Sequence, residues 1–458
     1  MCRSARCNVL ARAAALAAAC GVVGCGETKG SGAGGAGGSA GAGASGGAGA
    51  AGGSGGVAGA GGAAGCQEFR VTSDMLPAGP VKFEPGSAGQ MERETLWRDE
   101  HGLHFAWNPG IIEGGDGLRL VLTTIDPATE EVSHRFFPKF FMGGVARSPS
   151  GVLCLGGQLV EGSTVTTGAL LIDQNDPNVE IFLPIYSSDQ RAVHVGWDGE
   201  AFAVHFWGST ALEVARVSEA GQLIMQPAVF GAAAGALPDL RLSTDSVSGV
   251  SFAVSGEFVK VPWIAAHTRE GKPVPGTEAT GGKILPVQGE LGSANSVAFT
   301  TVRGVPGGAL VGWGTVGNPD AMVVMQRIDA ALAPVGDAVL VKPTKQQGTD
   351  EEKDWLTIQE EGNGWWVGAG GPIFLESVRW SPAGVTVENL SSYELARSGQ
   401  MILDFRHLGS ARYGDELWLG FVDETANFST GKLYQPYRIV RILPGCKYPS
   451  LWDLLHEK

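Results

Sequence analysis

Few side chains in this sequence are spaced for chemistry, and each has a plainer duty to weigh against. His101 and His104 stand three apart, which on a helix would put two imidazoles on one face for a metal. Gly102 lies between them and opens an alternating run, and on a strand residues three apart face opposite sides, so no zinc site is expected. Asp173, Gln174, Asn175, Asp176 and Asn178 offer oxygen ligands of the kind calcium takes, but without the central glycine and closing glutamate of a calcium loop. They read as a polar turn. Asp350, Glu351, Glu352 and Asp354 would supply a general acid and base, yet no spacing selects a pair. Trp107, Trp207 and Trp313 recur in similar settings and would stack sugar rings on a surface or fill apolar wedges, and the wedge role is the expected one. No cofactor or metal motif emerges.

The elements that would position such residues are visible as a repeat. Its clearest copy runs from Val195 to Ile224. Asp198-Gly199 is a turn signal, because glycine adopts positive φ without a Cβ clash and aspartate tolerates the left-handed region. Phe202, Val204 and Phe206 then alternate with Ala201, Ala203 and His205, the period of a strand. Gly208-Ser209-Thr210 interrupts it, and Leu212, Val214 and Val217 form a second run. The counterparts of Gly199 are Gly102, Gly151, Gly249, Gly307, Gly364 and Gly414, and three residues after each glycine stands Phe105, Cys154, Phe202, Phe252, Leu310, Val367 or Leu417. The residues between are small or apolar, so this strand is expected to be buried on both faces.

A further apolar run follows each such strand, as in Leu118 to Ile125, Ala169 to Ile172, Met322 to Ile328 and Tyr437 to Leu443. Ahead of each glycine lies a candidate inner strand, as in Leu240-Arg241-Leu242, Ser296 to Phe299 and Ile402 to Phe405. Helical periodicity is absent apart from a short turn near Trp452 to Leu455. Units of about 50 residues are too long for a β-helix and too short for immunoglobulin-like sandwiches. The expected fold is all-β, a β-propeller over residues 66–458 with about seven blades, six or eight being the alternatives because strands can be exchanged at the closure. Radial packing hides both faces of each small sheet and leaves only short edges.

The first 65 residues belong to no such unit. Arg3, Arg6 and Arg12 precede an apolar run from Ala13 to Val23, the length of a signal-peptide core and too short to span a bilayer. Val22-Val23-Gly24-Cys25 resembles the lipobox of bacterial lipoproteins, which implies that residues 1–24 are removed and Cys25 is acylated. Competing readings are secretory cleavage near Ala19 and acylation of Cys20. Residues 26–65 are almost wholly Gly, Ala and Ser after Glu27-Thr28-Lys29, and such a segment has nothing to bury. As a disordered tether of about 40 residues it reaches roughly 35 Å on average. With Gly26 after Cys25, the resemblance to lipoprotein sorting signals favours the outer membrane.

The chain carries 33 Lys and Arg against 47 Asp and Glu; losing the three arginines of residues 1–24 leaves 30 against 47, a net of −17. Such a balance without basic runs argues against nucleic acid, and against anionic lipid other than through an anchor. Of seven cysteines, Cys66 and Cys446 bracket the repeat and are natural disulfide partners in an exported chain. Loop entropy would allow that bond up to roughly 6 kcal/mol. Cys154 reads as a buried free thiol.

Taken whole, the sequence resembles bacterial surface lipoproteins that carry a Gly/Ala/Ser tether and a propeller of degenerate WDG-type repeats. It lacks the aspartate box of sialidase-like propellers, the paired Gly-His and Trp-Asp of WD40 repeats and the kelch spacing. Propeller ligands gather where the inner strands begin. That position nominates Arg191, His194, Arg241, Asn295, Asp354, Trp355, Asp404 and Arg406. The expected function is a membrane-anchored extracytoplasmic binding or scaffold protein for glycan, peptide or protein; a diverged carbohydrate hydrolase or lyase is the alternative. If Cys25 is the acylated residue, Cys25→Ser abolishes incorporation of labelled palmitate in cells, and undiminished labelling rejects the assignment.

Overall fold

The computed structural model describes residues 67–71, 81–82, 96–107, 111–112, 119–176, 179–187, 191–207, 211–231, 240–255, 263–277, 283–285, 297–315, 321–344, 353–358, 363–369, 374–387, 404–414, 416–427, 432–434 and 437–442. Cys25, Cys66, Cys446 and Asn295 lie outside them, as do the proposed signal and tether and the turn near Trp452. No helix occurs among the described residues; every element is a strand.

In chain order the strands are β1 (Gln67–Val71), β2 (Val81–Lys82), β3 (Leu96–Asp99), β4 (Gly102–Trp107), β5 (Ile111–Ile112), β6 (Arg119–Ile125) and β7 (Val132–Pro138). Then come β8 (Phe140–Arg147), β9 (Val152–Glu161), β10 (Thr164–Asp173), β11 (Glu180–Tyr186), β12 (Arg191–Trp197), β13 (Phe202–Trp207), β14 (Leu212–Val217) and β15 (Leu223–Gly231). β16 (Arg241–Thr244), β17 (Ser251–Ser255), β18 (Trp263–His267), β19 (Lys283–Ile284), β20 (Val297–Val305), β21 (Gly308–Thr315), β22 (Ala321–Asp329) and β23 (Pro334–Thr344) follow. The last are β24 (Lys353–Ile358), β25 (Asn363–Ala369), β26 (Phe374–Ser381), β27 (Gly384–Val387), β28 (Asp404–Tyr413), β29 (Glu416–Asn427), β30 (Lys432–Tyr434) and β31 (Tyr437–Ile442).

Among the described residues these form seven antiparallel meanders. Six run in simple order: β3-β4-β6-β7, β8 to β11, β12 to β15, β16 to β19, β20 to β23 and β24 to β27. The seventh is β28-β29-β31-β1, in which the N-terminal strand supplies the outermost position. Its register pairs Gln67 with Arg441 and Val71 with Tyr437. β2 pairs with β5, and β30 adds to β29. The first strands touch in sequence, β8 with β12, β12 with β16, β16 with β20, β20 with β24 and β24 with β28; β28 then touches β3, and β6 touches β8. The chain is therefore a closed seven-bladed β-propeller. Six or eight blades, the alternatives left by the sequence, are not what the sheets form; the exchanged strand at the closure is β1.

The expected double burial of the second strand holds. β4 and β17 are buried at every residue, β13 at all but one, and β9 from Leu153 to Gly157. Period-two alternation sends the two faces into different wedges. On β9, Leu153 and Leu155 join Phe137, Phe140 and Leu120 between the first two blades, while Cys154 joins Val195, Phe202 and Val204 between the second and third. Cys154 is a buried free thiol, and burial raises its pKa far above the ordinary range. Trp107 and Trp313 are fully buried in wedges, as expected for filling rather than stacking, whereas Trp207 is half-buried. One wedge unites Leu103, Phe105 and Trp107 of the first blade with Ala411, Trp418 and Ile439 of the last, so the closure has an apolar core of its own.

Close approach near the axis requires missing side chains. A Cβ on Gly196 would lie 2.3 Å from Thr244 Oγ1, and one on Gly304 would lie 2.3 Å from the Thr244 carbonyl oxygen. At Gly199 φ is +94° and a Cβ would stand 2.1 Å from the Ser246 carbonyl oxygen, so the turn glycine is both conformationally and sterically required. Gly162, at φ +61°, has nothing within 4 Å of its would-be Cβ. Gly199→Ala is expected to destabilise the protein by about 3 kcal/mol, and Gly162→Ala by about 1 kcal/mol. Denaturant unfolding of both variants measures the contrast, and equal losses would remove the steric argument.

Candidate functional site

The two ends of the ring differ in their connections. At one end lie the links between first and second strands and between third and fourth strands, most of which are short, as at 198–201, 218–222, 245–250, 306–307 and 330–333; after β18 the chain turns at 268–272 to bridge Pro273 with His267 before the longer run to β19. At the other end are the links from one blade to the next, which range from Lys139 alone and 187–190 to 232–240, 285–296, 345–352 and 388–403. Long connections on a rigid scaffold are where binding surfaces reside. The first is termed here the turn end and the second the loop end.

The turn end is fastened blade to blade by polar contacts. Asp198 begins its turn with Oδ1 accepting from the backbone N–H groups of Glu200 at 3.0 Å and Ala201 at 2.8 Å, and Arg216 donates to Oδ2 at 2.6 Å. From the next blade Arg269 donates to the Asp198 carbonyl at 2.7 Å and pairs with Glu200 at 2.5 Å. Asp245 accepts from the backbone N–H of Gly307 at 3.0 Å and of Gly308 at 3.2 Å, again one blade on. Ser150 donates to Glu219, Asp99 pairs with Arg147 at 3.4 Å, and Arg98 lies 4.5 Å over the Tyr413 ring across the closure. The sequence marked Asp198 as turn chemistry, which it is. It did not mark Asp99 and Asp245, although each precedes a turn glycine by a few residues.

His101 and His104 do not meet a common ligand. His101 is exposed in the turn, while His104 is buried with Nε2 2.9 Å from Asp99 Oδ1 and Nδ1 2.9 Å from Thr124 Oγ1. Burial works against the Asp99 carboxylate, but the His104 bond and charge, the His101 N–H and Arg147 hold its pKa below the ordinary value. The order threonine, histidine, aspartate matches a nucleophilic relay in outline. It sits at the turn end within a blade-to-blade contact, and Trp97 stacks on the imidazole at 5.4 Å. Its role is to join β3, β4 and β6. In the 173–178 turn, Asp173 accepts from the Asn175 N–H at 2.8 Å, the polar turn the sequence indicated.

The residues nominated along the inner strands fall as follows. Arg191 and His194 are on β12, Arg241 opens β16, Asp354 and Trp355 are on β24, and Asp404 and Arg406 are on β28, each the first strand of its sheet. Arg191, Arg241, Asp354 and Asp404 stand at or next to the strand start, so the topology gathers them at the loop end. Arg241 is half-buried, with Nη1 3.4 Å from the Leu240 carbonyl. β24 and β28 are neighbours in the ring, which places Asp354 and Asp404 on adjacent strands. His194 lies deeper and is 5% exposed.

His194 belongs to a buried row that sequence reasoning missed. Its ring is 5.3 Å from that of His205, and His205 is 5.5 Å from His267 of the next blade. The His205 and His267 Nε2 atoms are 3.4 Å apart, and His267 Nδ1 is 2.9 Å from the Thr268 carbonyl. A carbonyl only accepts, so His267 carries its proton on Nδ1 and His205 donates through Nε2. Burial, then the neighbouring histidines, push His205 well below the ordinary imidazole pKa. Burial lowers His267 to about 4, partly offset by its backbone bond and the Asp198 charge. Among the described residues no three His, Cys, Asp or Glu converge to hold a metal ion.

No family model matches the chain, and no curated protein matches it. Among solved structures it is similar to the polysaccharide lyase Uly1, at 11% identity over 82% of this chain and 99% of that one, with a TM-score of 0.47. It is also similar to the β-propeller domain of the Trilobed protease from Pyrococcus furiosus, at 8% identity over 75% and 94% of the two chains, TM-score 0.43. The NanB sialidase from Streptococcus pneumoniae follows at 10% identity over 80% and 70%, TM-score 0.37. Likeness at these levels transfers no site and no activity. The protein is defined by its own sheets as a seven-bladed propeller.

The histidine row gives a pH dependence with a definite sign. Both folded pKa values lie below the unfolded value near 6.5, so the stabilisation is complete above pH 6.5 and is lost as pH falls toward 4. His267 alone accounts for about 3 kcal/mol of that loss. Thermal midpoints measured from pH 7 to 4 should fall less steeply in His205→Gln/His267→Gln than in the parent; parallel profiles would place the acid sensitivity elsewhere.

Proposed function

We propose that the protein is a lipid-anchored extracytoplasmic binding protein, joined to the outer membrane through acylated Cys25 and presenting the loop end of its propeller to a glycan, peptide or protein. The observation that carries the binding reading is the difference between the ends of the ring. The turn end spends its carboxylates and guanidinium groups on blade-to-blade contacts, as Asp198, Asp245 and Arg269 illustrate. The loop end has most of the longer connections together with Arg191, Arg241, Asp354, Trp355, Asp404 and Arg406 on the first strands. Cations, carboxylates and an aromatic residue on strands that begin at one end suit a polar, multivalent ligand. The signal-like segment and the Gly/Ala/Ser tether support the anchor, and the absence of basic runs argues against nucleic acid.

A disulfide between Cys66 and Cys446 is part of this reading. What supports it is chain position alone: Cys66 directly precedes β1 and Cys446 follows Ile442 of β31 by four residues, and β1 pairs with β31.

Asp354 and Asp404 on adjacent inner strands keep a hydrolase or lyase as the second reading. One experiment addresses both: the soluble Cys25→Ser chain is applied to glycan and peptide arrays, and the retained ligands are followed for cleavage. Retention that drops at least tenfold in Arg241→Ala supports the binding site. Cleavage abolished by Asp354→Asn or Asp404→Asn would replace the binding reading with the enzymatic one, and silence on every array would reject both.

A further inference from the structure

The seams between blades are not filled alike. On β13 the side chains of Phe202, Val204 and Phe206 pack toward the second blade with Cys154 and Val195, so strand alternation turns Ala203, His205 and Trp207 to the fourth. On β17 Phe252 and Val254 pack toward the fifth blade with Trp313, which turns Ser251, Ala253 and Ser255 back to the third. Among the described residues the apolar cluster of this seam has Leu212, Ala253 and Ala265 fully buried, with Trp207, Leu240, Leu242 and Trp263 half-buried beside them. Small side chains make few dispersion contacts, so the third-to-fourth seam gains less from apolar burial than its neighbours.

The histidine row stands where a larger apolar cluster would. His194 and His205 belong to the third blade and His267 to the fourth, and the row crosses the seam at the 3.4 Å contact between the Nε2 atoms of His205 and His267. With one proton between them this contact is a hydrogen bond. With both imidazoles protonated each presents an N–H there, the bond is lost, and two cations face each other in a buried site.

The charged groups around the row are already matched. Asp198 pairs with Arg216 of β14 at 2.6 Å and with Arg269 at 3.8 Å, and Glu200 pairs with Arg269 at 2.5 Å. Glu270 accepts from the Thr268 hydroxyl at 2.7 Å, and Lys272 is exposed in the same turn. From β16 and β17 come Thr244 and Ser251, uncharged and 2.9 Å apart, while Arg241 stands at the far end of β16. His104 of the first blade differs, because the Asp99 carboxylate 2.9 Å away answers a proton on its ring.

We propose that the seam between the third and fourth blades is an acid-operated joint: protons taken up by the histidine row part these two blades while the other seams, the closure included, stay shut. Burial keeps His205 and His267 neutral, His267 down to about 4, so the joint is shut above the ordinary imidazole value near 6.5 and opens as pH falls toward 4. β12 and β16, which open with Arg191 and Arg241, stand on either side of it, so its parting also changes the spacing of those two strand starts.

Hydroxyl-radical footprinting of the full chain, read residue by residue by mass spectrometry at about pH 7 and about pH 4.5 and normalised to the unfolded chain at each pH, tests the joint. Oxidation of Trp207, Leu212 and Trp263 should rise at least threefold at the lower pH, while Trp313 in the fourth-to-fifth seam and Trp107 and Trp418 at the closure stay protected. The rise should vanish in His205→Gln/His267→Gln, and His267→Gln alone serves if the double variant does not fold. No rise in the parent overturns the joint. A rise shared by Trp107, Trp313 and Trp418 overturns it in favour of unfolding of the whole ring, and a rise retained in a folded variant assigns the opening to other groups and overturns it as well.

Discussion

Closure of the ring is the constraint on which the rest of this protein depends. An open row of seven small sheets would leave two terminal blades each with an apolar face in water. Joining Leu103, Phe105 and Trp107 to Ala411, Trp418 and Ile439 removes both at once. At about 2 kcal/mol for each fully buried large apolar side chain, that wedge is comparable to the net stability of an ordinary domain. The pairing of β1 with β31 makes the same junction covalent in effect, since the last blade is incomplete without the first strand of the chain. It also decides at which end of the ring β1 begins, since Gln67 lies opposite Arg441 at the turn end.

A closed ring then dictates where polar groups can be spent. Blades converge toward the axis, where only small residues fit, as Gly196 and Gly304 show against Thr244. They diverge outward, where aromatic side chains fill the wedges. The short turns at one end bring carboxylates within reach of the next blade, and Asp198 and Asp245 serve two blades each. These contacts are partly buried and directional, so they fix the relative height of neighbouring sheets in a way that apolar wedges cannot. The histidine row between the third and fourth blades has the same linking role with one difference: it works only while its imidazoles are neutral.

The sequence carried the fold because its strongest signals are local. A turn glycine followed by a doubly buried strand needs only a dozen residues to be visible, and Gly102, Gly151, Gly199, Gly249, Gly307 and Gly414 all adopt the positive φ that the pattern implied. The closure was legible only as an ambiguity in blade count, since nothing in the composition of Gln67 to Val71 says that its partner lies at the far end of the chain. The contacts between blades were less legible still. Asp198 shows its turn role in its neighbour Gly199, whereas Arg269 lies 71 positions away and its contribution depends on two blades being adjacent. His205 and His267 are separated by 62 positions for the same reason. His104, by contrast, was correctly kept from a metal role by strand periodicity alone.

The candidate ligand-binding residues illustrate a different limit. Position on an inner strand places Arg191, Arg241, Asp354 and Asp404 at one end of the ring, because every blade repeats the same meander and so every first strand runs the same way. What position supplies is a shared end, and a shared end is a weaker statement than a shared ligand. His194 makes the point: it was nominated on the same ground, three residues into β12, and it is buried beside His205. Along a strand the distance from the start sets depth within the ring, and alternate residues face alternate sides. A nomination by strand position is therefore strongest for the first residue or two and weakens with each step inward. By that criterion Arg191, Arg241 and Asp404, which open β12, β16 and β28, are the best placed of the set, two arginines and an aspartate in different sectors of one rim.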